Sequence, residues 1–357
     1  MALISILNPN MNKQVSVIIP HYNGEEILKD CLQSLYKTTQ VAMEVILVDN
    51  GSSDNSISII KSEFPDVIIL QQEKNLGFAG GCNVGILAST SEFVLILNND
   101  TTHENYWIEY LLETIKTNEK IAVVQPKLRS YQRPEYFDYS GANGGEMDVF
   151  GFPFARGRIF QNTEKDFCQY DHMDREVVWA SGTAFLGRRE ILVKAGMFDE
   201  NFFAHMEEID LDWRLRLLGY KIAVNPKSVI YHRSGFTLGA ESPFKKYLNH
   251  RNSLFMVLAN YTILNLLYIL PIRILLDWIA VLQSILSRDK GRTWPIIKAH
   301  FWCLAHLSLI IKKRRHVKQL RQISDSAIMK KYYKGSIAIT SFLLKKTKYS
   351  DLYSVNK

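Results

Sequence analysis

Four polar clusters stand where apolar runs of the chain end. Pro20-His21-Tyr22-Asn23-Gly24 closes the run 15–20, VSVIIP, and Asp49-Asn50-Gly51-Ser52-Ser53-Asp54 follows 44–48, EVILV. A carboxylate placed like Asp49 can accept from ribose hydroxyls or a base N–H, although Asn-Gly and Asp-rich runs also make turns without any ligand. The third cluster, residues 75–85 (NLGFAGGCNVG), has the glycine content of a phosphate loop but neither the Rossmann nor the Walker spacing. No Gly-Lys-Ser/Thr follows it, which argues against a P-loop NTPase, and its glycines could equally let a helix approach a sheet. The fourth is Asn98-Asn99-Asp100-Thr101, after 93–97, FVLIL. A carboxylate there can share Mg²⁺ or Mn²⁺ with substrate phosphates, and a departing nucleoside diphosphate needs such a cation; a helix N-cap is the competing role.

A different chemistry is offered by residues 202–214, FFAHMEEIDLDWR, in which Glu207, Glu208, Asp210 and Asp212 fall within six positions. Acidic residues suit the first turn of a helix, but four exceed what capping needs, and one can act as a general base toward a hydroxyl. His232 ends a further apolar run, where it can complete a cation site or serve a structural role.

These residues require a scaffold that gathers strand ends. The continuous apolar runs 15–20, 44–48, 67–70, 93–97 and 121–124 read as buried strands. Helix candidates lie between them at 25–38, 54–62, 79–89 and 104–117, the second capped by Ser53 or Asp54. Such alternation implies right-handed βαβ units, a mainly parallel sheet, and ligands at the carboxyl ends of its strands. Residues 126–176 lack periodicity and read as an irregular insertion of loops or a small hairpin over the site. Order returns after Val177 with a short strand pair, helices at 188–195 and 207–218, and strands at 221–224 and 228–231. No internal repeat is present.

At 357 residues, 47% hydrophobic and 22% charged, the chain can form a sizeable core with an appended unit. Its four cysteines, Cys31, Cys82, Cys168 and Cys303, show neither disulfide nor zinc spacing, which points to a reducing compartment. The N-terminal MALISILNPNMNKQ has no signal-peptide pattern. The net charge of +7 is concentrated in Lys312, Lys313, Arg314, Arg315, Lys318 and Arg321, then Lys345, Lys346 and Lys348. Such a tail suits an anionic membrane surface or nucleic acid, or is a solvated helix face. Residues 254–276 approach the ~20 apolar residues that cross a bilayer but are interrupted by Asn260, Asn265, Pro271 and Arg273. The amphipathic stretch 294–311 runs into the basic cluster. Attachment in the membrane interface, an ordinary helical core and a true span all remain open at this level, the first favoured by apolar helices beside Lys and Arg.

In order, VSVIIPHYNG, EVILVDNGSSDNS, NLGFAGGCNVGI, VLILNND, the long segment from WASGTAFLG to LRLLGY, and VIYHRSG resemble a family 2 glycosyltransferase of the rhamnosyltransferase-like branch, over about residues 15–235. The resemblance implies an α/β GT-A nucleotide-diphospho-sugar transferase fold: a mainly parallel, Rossmann-like sheet with a C-terminal helical extension. With the shift of composition to helix beyond about residue 240, this divides the chain into a tail at 1–14, a catalytic domain at 15–240, and a helical, basic region at 241–357 expected to associate with a membrane. It further implies an inverting enzyme that needs a divalent cation, Mg²⁺ or Mn²⁺, and moves a sugar from a nucleotide diphosphate to a hydroxyl. The branch suggests L-rhamnose from dTDP-rhamnose as the transferred sugar. The acceptor would be a glycan or lipid-linked glycan in cell-surface polysaccharide synthesis, met at the cytoplasmic face of the inner membrane, with no nucleic acid partner.

Carried over residue by residue, Tyr22 and Asp49 would contact the base, Pro20 would shape that pocket, and Asn75, Gly77 and Asn99 would adjoin the nucleotide sugar. Trp179 and Gly182 would line the sugar and acceptor pocket. Asp100 and His232 would hold the cation, and Glu208, with Glu207 beside it, would be the base. Asp210 and Arg214 would support the helix. Two departures stand out: Asn98 replaces the first aspartate of the usual pair, and Glu208 is one methylene longer than the usual aspartate. The loss of a carboxylate at Asn98 permits another reading, a membrane-associated scaffold with an impaired transferase-like domain. A nucleotidyltransferase would need a basic glycine loop where this chain has the acidic HYNGEE.

Overall fold

A computed structural model describes residues 13–233 and 242–352. The tail expected at 1–14, with its lack of a signal pattern, lies outside the described residues except for its last two positions. So do Ser234 and Gly235 of the last motif, and residues 353–357.

The chain begins with β1 (Val15–His21), α1 (Glu25–Thr38), β2 (Met43–Asp49), α2 (Ser56–Glu63), β3 (Ile68–Gln71), α3 (Gly77–Ala88) and β4 (Phe93–Leu97). Next come β5 (Thr101–His103), α4 (Trp107–Lys116) and β6 (Ile121–Ser130). Then β7 (Gly145–Met147), β8 (Pro153–Ala155), β9 (Arg158–Ile159) and β10 (Asn162–Thr163) form a small antiparallel sheet. The chain returns through β11 (Glu176–Val177), β12 (Ala184–Arg188), α5 (Arg189–Lys194), α6 (Glu207–Leu217) and β13 (Lys221–His232). It closes with α7 (Pro243–Asn260), α8 (Ile263–Leu286), α9 (Lys290–Ala305), α10 (Leu307–Leu320), α11 (Asp325–Ile328) and α12 (Ile337–Phe342).

The main sheet has the order β11-β13-β6-β12-β4-β1-β2-β3, with β5 on β13. β1 is parallel to β2 and β4, β2 to β3, and β6 to β13, while β12 runs antiparallel between β4 and β6. Because β12 opposes both neighbours, β3, β2, β1, β4, β6 and β13 all point the same way, and their carboxyl ends share one edge. Side chains alternate across the sheet as the strand pleat requires. Val15, Val17 and Ile19 pack with Leu28, Leu32 and Trp107 of α1 and α4, whereas Ile18 packs with Cys82 and Ile86 of α3. Both faces are covered, which is why these strands read as unbroken apolar runs; each such buried side chain contributes about 1.5–3 kcal/mol.

The insertion is more ordered than its sequence suggests. Its strands are two or three residues long, too short to leave a hydrophobic period, and they are set by close packing. A Cβ on Gly145 would lie 2.0 Å from Cδ2 of Trp179, so only glycine lets β7 sit on that ring. The same core holds Phe154 and Trp213 together with Phe255, Tyr261, Cys303 and Ile337 from the C-terminal helices.

The apolar run 254–276 is broken rather than continuous. Its first part belongs to α7, where Leu254, Phe255 and Val257 are core, and the chain turns at Tyr261 and Thr262 before α8. α8 is long and apolar enough to cross a membrane by length and composition. However, one face carries a buried Arg273–Asp277 ion pair, and Arg273 donates to Phe150 O (3.0 Å) and lies over the Phe152 ring. That face is committed to the insertion. The stretch 294–311 bends by 73° between α9 and α10. Nor is the basic cluster one solvated face. Lys313 is buried on Asp199 (2.5 Å) and Asp210 (2.8 Å), Arg314 donates to Leu258 O, and Arg321 holds Asp325 and Asn260 O. Lys312, Arg315 and Lys318 remain exposed.

Candidate active site

At the shared edge, the loops after β1 and β2 are tied together. Asn23 N donates to Ser52 Oγ (2.9 Å), Ser53 N to Asn23 Oδ1 (2.8 Å), and Gly24 N to Asp54 Oδ2 (2.6 Å). Asp49 is buried, its Oδ1 accepting from Ser52 N (2.9 Å), while Tyr22 is 43% exposed beside it in the chain order of the parallel pair. Pro20 is buried at the end of β1, in contact range of the start of α3. His21 links the strand tips: its ring faces Asn99 Nδ2 through Nδ1 (2.8 Å) and Ser56 Oγ through Nε2 (2.9 Å). Burial lowers its pKa despite Asp54 and Asp49 nearby, so the neutral ring accepts from the Asn99 amide and donates to Ser56.

The glycine loop serves packing. Gly77 N donates to Asn75 Oδ1 (2.8 Å), and Phe78 N donates to Phe203 O (3.0 Å). The amides that a phosphate would need at the start of α3 are therefore occupied by protein oxygens. Gly77 has φ +72°, and a Cβ there would stand 2.6 Å from Phe203 O. Asn75 thus closes this loop on itself, and Gly77 and Phe78 hold it against the one preceding α6.

Asn98, Asn99 and Asp100 follow β4, and β5 brings Asp100 to His232 at the end of β13. Asp100 Oδ1 lies 3.2 Å from His232 Nε2 as an ion-pair contact, and it has no other partner among the described residues. On the far side of the ring, His232 Nδ1 meets Asp138 Oδ1 at 2.9 Å. Burial disfavours charge on His232, but Asp100 and Asp138 outweigh it and hold the imidazolium up to about 10. Among the described residues no group of three or more His, Cys, Asp or Glu gathers to hold a cation. Asp100 and His232 would offer two ligands once the ring gives up its Nε2 proton, which fits an ion that takes its other oxygens from phosphates and water. The orphaned Oδ1 of buried Asp100 and a histidine oriented by a carboxylate on its other nitrogen are what such a site needs.

The acidic segment sorts itself once α6 is in place. Asp210 is bonded to Arg214, Lys313 and Asn260, and Asp212 accepts from Ala180 N (2.6 Å). Glu207 and Glu208 are left over. The helix begins at Met206 without a side-chain cap, so neither serves as one. The Glu208 side chain is partly exposed, yet its Oε2 is buried and without a partner, as is Oε2 of Glu207. Burial pushes Glu208 up to about 7, opposed by backbone N–H groups of the helix start and of Gly182; burial, with the adjacent Glu208, also holds Glu207 well above the usual carboxylate range. A Cβ on Gly182 would come 3.3 Å from the Phe78 ring and 3.7 Å from Glu208 Cβ, so Gly182 keeps the space beside the acid open. Trp179 differs from expectation: it is 2% exposed, its Nε1 donating to Glu146 O (2.7 Å), and it carries the insertion instead of lining a pocket. Asn98 N donates to Thr183 O (2.8 Å), which brings the Asp100 loop next to Gly182.

The sequence did not single out Asp138, His21, His205 or Arg158, which the fold places near these residues. His21 stands next to Tyr22 in HYNG, which was a usable signal. Asp138 and Arg158 lie in the aperiodic insertion, where no pattern marks them. Phe203, His205 and Met206 all have positive φ (64°, 68°, 71°), backbone strain of the kind that concentrates at functional loops.

The sequence model of glycosyl transferase family 2 matches residues 16–195. The N-acetylglucosaminyl-diphospho-decaprenol L-rhamnosyltransferase of Mycobacterium tuberculosis is 26% identical over 268 residues, 70% of this chain and 85% of that protein. The glycosyltransferase GlyG of Streptococcus pneumoniae is 27% identical over 237 residues, 62% and 72% of the two chains. Among solved structures, GalNAc-T7 with UDP, GalNAc and Mn²⁺ superposes with a TM-score of 0.57 at 16% identity, over 72% of this chain. This chain spans about half (49%) of that one. The mannosyltransferase PcManGT of Pyrobaculum calidifontis with GDP-Man and Mn²⁺ gives 0.52 at 14% identity, over 95% and 89%. At these identities the structures establish the GT-A fold.

Proposed function

The chain belongs to glycosyl transferase family 2, and from that premise we propose that it transfers a sugar from a nucleoside diphosphate to an acceptor hydroxyl with inversion, using Glu208 as base. The observation that carries this reading is the buried, unpartnered Oε2 of Glu208 on an uncapped helix, beside the space kept by Gly182. A carboxylate pushed up to about 7 is matched to accept a proton near neutral pH. Glu208 takes the hydroxyl proton as the oxygen bonds to the anomeric carbon. The bond from that carbon to the diphosphate breaks, and its electron pair leaves with the diphosphate. Asp100 and His232 would hold a divalent cation, Mg²⁺ or Mn²⁺, which when bound supplies positive charge to the departing group. Asp138 keeps His232 turned so that Nε2 faces Asp100, and the Asn99–His21–Ser56 chain fixes the strand tips on which Tyr22 and Asp49 would meet the nucleotide.

The match to the mycobacterial rhamnosyltransferase supports dTDP-L-rhamnose as donor and a lipid-linked glycan as acceptor. A membrane location suits such an acceptor, and the outer face of α8 supports it. Leu264, Leu267 and Leu286 are 77%, 70% and 76% exposed, with Tyr268, Trp278 and Leu282 also bare, and Phe301 and Leu304 of α9 likewise. Each large apolar side chain gains about 1.5–3 kcal/mol on full burial, against about 1 kcal/mol per basic residue near an anionic surface. The apolar face therefore dominates, with Lys312, Arg315 and Lys318 adding to it. Since the opposite face of α8 is committed to the insertion through Arg273, the helix lies along the cytoplasmic membrane surface instead of crossing it.

Glu208→Gln lowers transfer from dTDP-rhamnose by about 10²–10⁴-fold, measured as acceptor-dependent dTDP release, and leaves dTDP affinity nearly unchanged. Wild-type turnover in that variant would remove Glu208 from the role. No release by the wild type from any nucleotide sugar, with or without chelator, would favour the scaffold reading. Separately, Leu267→Lys with Leu282→Lys releases the protein from phosphatidylglycerol vesicles in flotation assays; undiminished binding would place the attachment elsewhere.

A further inference from the structure

Arg158 is a buried charge in the insertion whose burial the reaction above does not explain. It stands at the start of β9 in the insertion, 7% exposed, and it forms no ion pair within 4.0 Å among the described residues. Its only hydrogen bond given by the structure is a weak one from Nη1 to Phe160 O (3.3 Å), and its buried Nε has no partner. A guanidinium taken out of water costs several kcal/mol unless it is paired and bonded, so buried arginines are almost always matched to a carboxylate or phosphate. Five other buried cations obey that rule: Lys127 sits on Asp166 and Asp171, Arg156 on Glu146, Arg214 on Asp210, Arg273 on Asp277 and Lys313 on Asp199, while Arg251, without a carboxylate, is met by Asn252 Oδ1 and the carbonyls of Asn201 and Phe202. Arg158 departs from it.

Its surroundings say what it faces. The guanidinium lies over the Tyr139 ring at 4.8 Å, and Lys245 approaches the same ring at 5.9 Å, so two cations flank one aromatic. Asp138, Tyr139 and Glu208 are the groups whose charge acts on Arg158, and Lys245 acts in turn on His205. Arg158 is therefore within electrostatic reach of both the carboxylate that orients His232 and the acid at the head of α6. His205 adds a second orphan, a buried Nε2 without a partner, on the strained loop before that helix. Asp138 and Glu208 already have work of their own and neither reaches Arg158 within ion-pair distance. The unmet donors thus call for an anion from outside the chain, entering where the acceptor must present its hydroxyl to Glu208.

We propose that Arg158, with Lys245, binds a phosphoryl group carried by the acceptor, holding it so that the hydroxyl reaches Glu208. This deepens the transferase reading and rests on it for the word acceptor; the anion site itself does not depend on it. The planar guanidinium suits a diphosphate, which it can grip with two parallel N–H bonds, and Lys245 adds a point charge from the open side. A neutral glycan would leave Arg158 as poorly met as it is now.

Farnesyl diphosphate, farnesyl monophosphate, farnesol and inorganic pyrophosphate serve as probes on the full-length protein, in chelator so that no cation captures the phosphates. Calorimetry should show farnesyl diphosphate bound best and farnesol at least tenfold more weakly. Binding of inorganic pyrophosphate alone would still identify an anion site, with the lipid part read from the difference. Arg158→Gln should cost at least tenfold in farnesyl diphosphate affinity, Arg158→Lys should recover part of it, and Lys245→Gln should cost about threefold. Affinity for dTDP with Mn²⁺ should change less than twofold in all three. Unchanged farnesyl diphosphate binding in Arg158→Gln overturns the proposal, as does an equal loss of dTDP–Mn²⁺ affinity, which would assign Arg158 to the donor diphosphate. Should Arg158→Gln fail to fold, Arg158→Lys and Lys245→Gln decide by the same comparison. If the wild type binds farnesyl diphosphate but neither binds nor cleaves a nucleotide sugar, the transferase reading fails while the anion site stands.

Discussion

Along the tips of β1, β4 and β13, polar groups satisfy one another: Asn99 meets His21, His21 meets Ser56 at the start of α2, and His232 meets Asp138, which reaches it from the insertion. Across the cleft, at the head of α6 and in the insertion, Glu207, Glu208, His205 and Arg158 each bury an atom without a partner. The one orphan on the first side that adjoins the histidine is Asp100 Oδ1, where a cation would sit. The first side is organised before any ligand arrives. The second stores unmet polar burial and strained backbone that a ligand can relieve, at the cost of stability in its absence.

That contrast can be broken experimentally. The largest effect expected on the organised side comes from Asp138→Ala, which frees the His232 ring. By analogy with other partners of metal-binding histidines it lowers affinity for Mn²⁺–dTDP by about 10–100-fold. Equilibrium binding at fixed nucleotide checks this, and a change in Tm with affinity kept within twofold would make Asp138 merely structural. Next in size is the pH response of the other side. Because the base must be ionised and burial holds Glu208 up to about 7, kcat falls about tenfold per pH unit below that value. A flat kcat from pH 5 to 8 would contradict the assignment.

The smallest effect is also the sharpest test of the comparison, because its sign differs between the two sides. A carboxyl whose folded pKa is raised contributes stability below its unfolded pKa and loses it as pH rises through the folded value. Glu208→Gln should therefore stabilise the fold by about 1–3 kcal/mol at pH 8, with the gain vanishing below about pH 4.5. Asp138→Ala should destabilise by a similar amount at pH 8, since it leaves a buried imidazolium with one fewer partner. Thermal unfolding at both pH values reads the two signs; the same sign for both would dissolve the distinction.

Much of the scaffold was legible. The strand at Phe93–Leu97 and the helix at Glu25–Thr38 match the sequence reading to the residue, since an apolar run and an amphipathic period are local properties. The insertion was not, because strands of two or three residues carry no period, and Gly145 beneath Trp179 is a contact between distant segments. Among the candidate residues, the order of motifs pointed to Asp100, Glu208 and His232, on which the proposed mechanism rests. It could not reveal that Trp179 is sealed beneath β7.

What the sequence determined by itself was therefore the order of the elements, the family, and the acids at the strand tips and helix head. Only the tertiary structure decided which charges are free to act. Lys313 reads as one more residue in a basic run, yet it is buried on Asp210, 103 positions away, and Asp138 is invisible until His232, 94 positions on, closes against it. The reason is physical: propensity and periodicity act within a few residues, whereas the cost of burying a charge is set by whichever partner the fold brings to it.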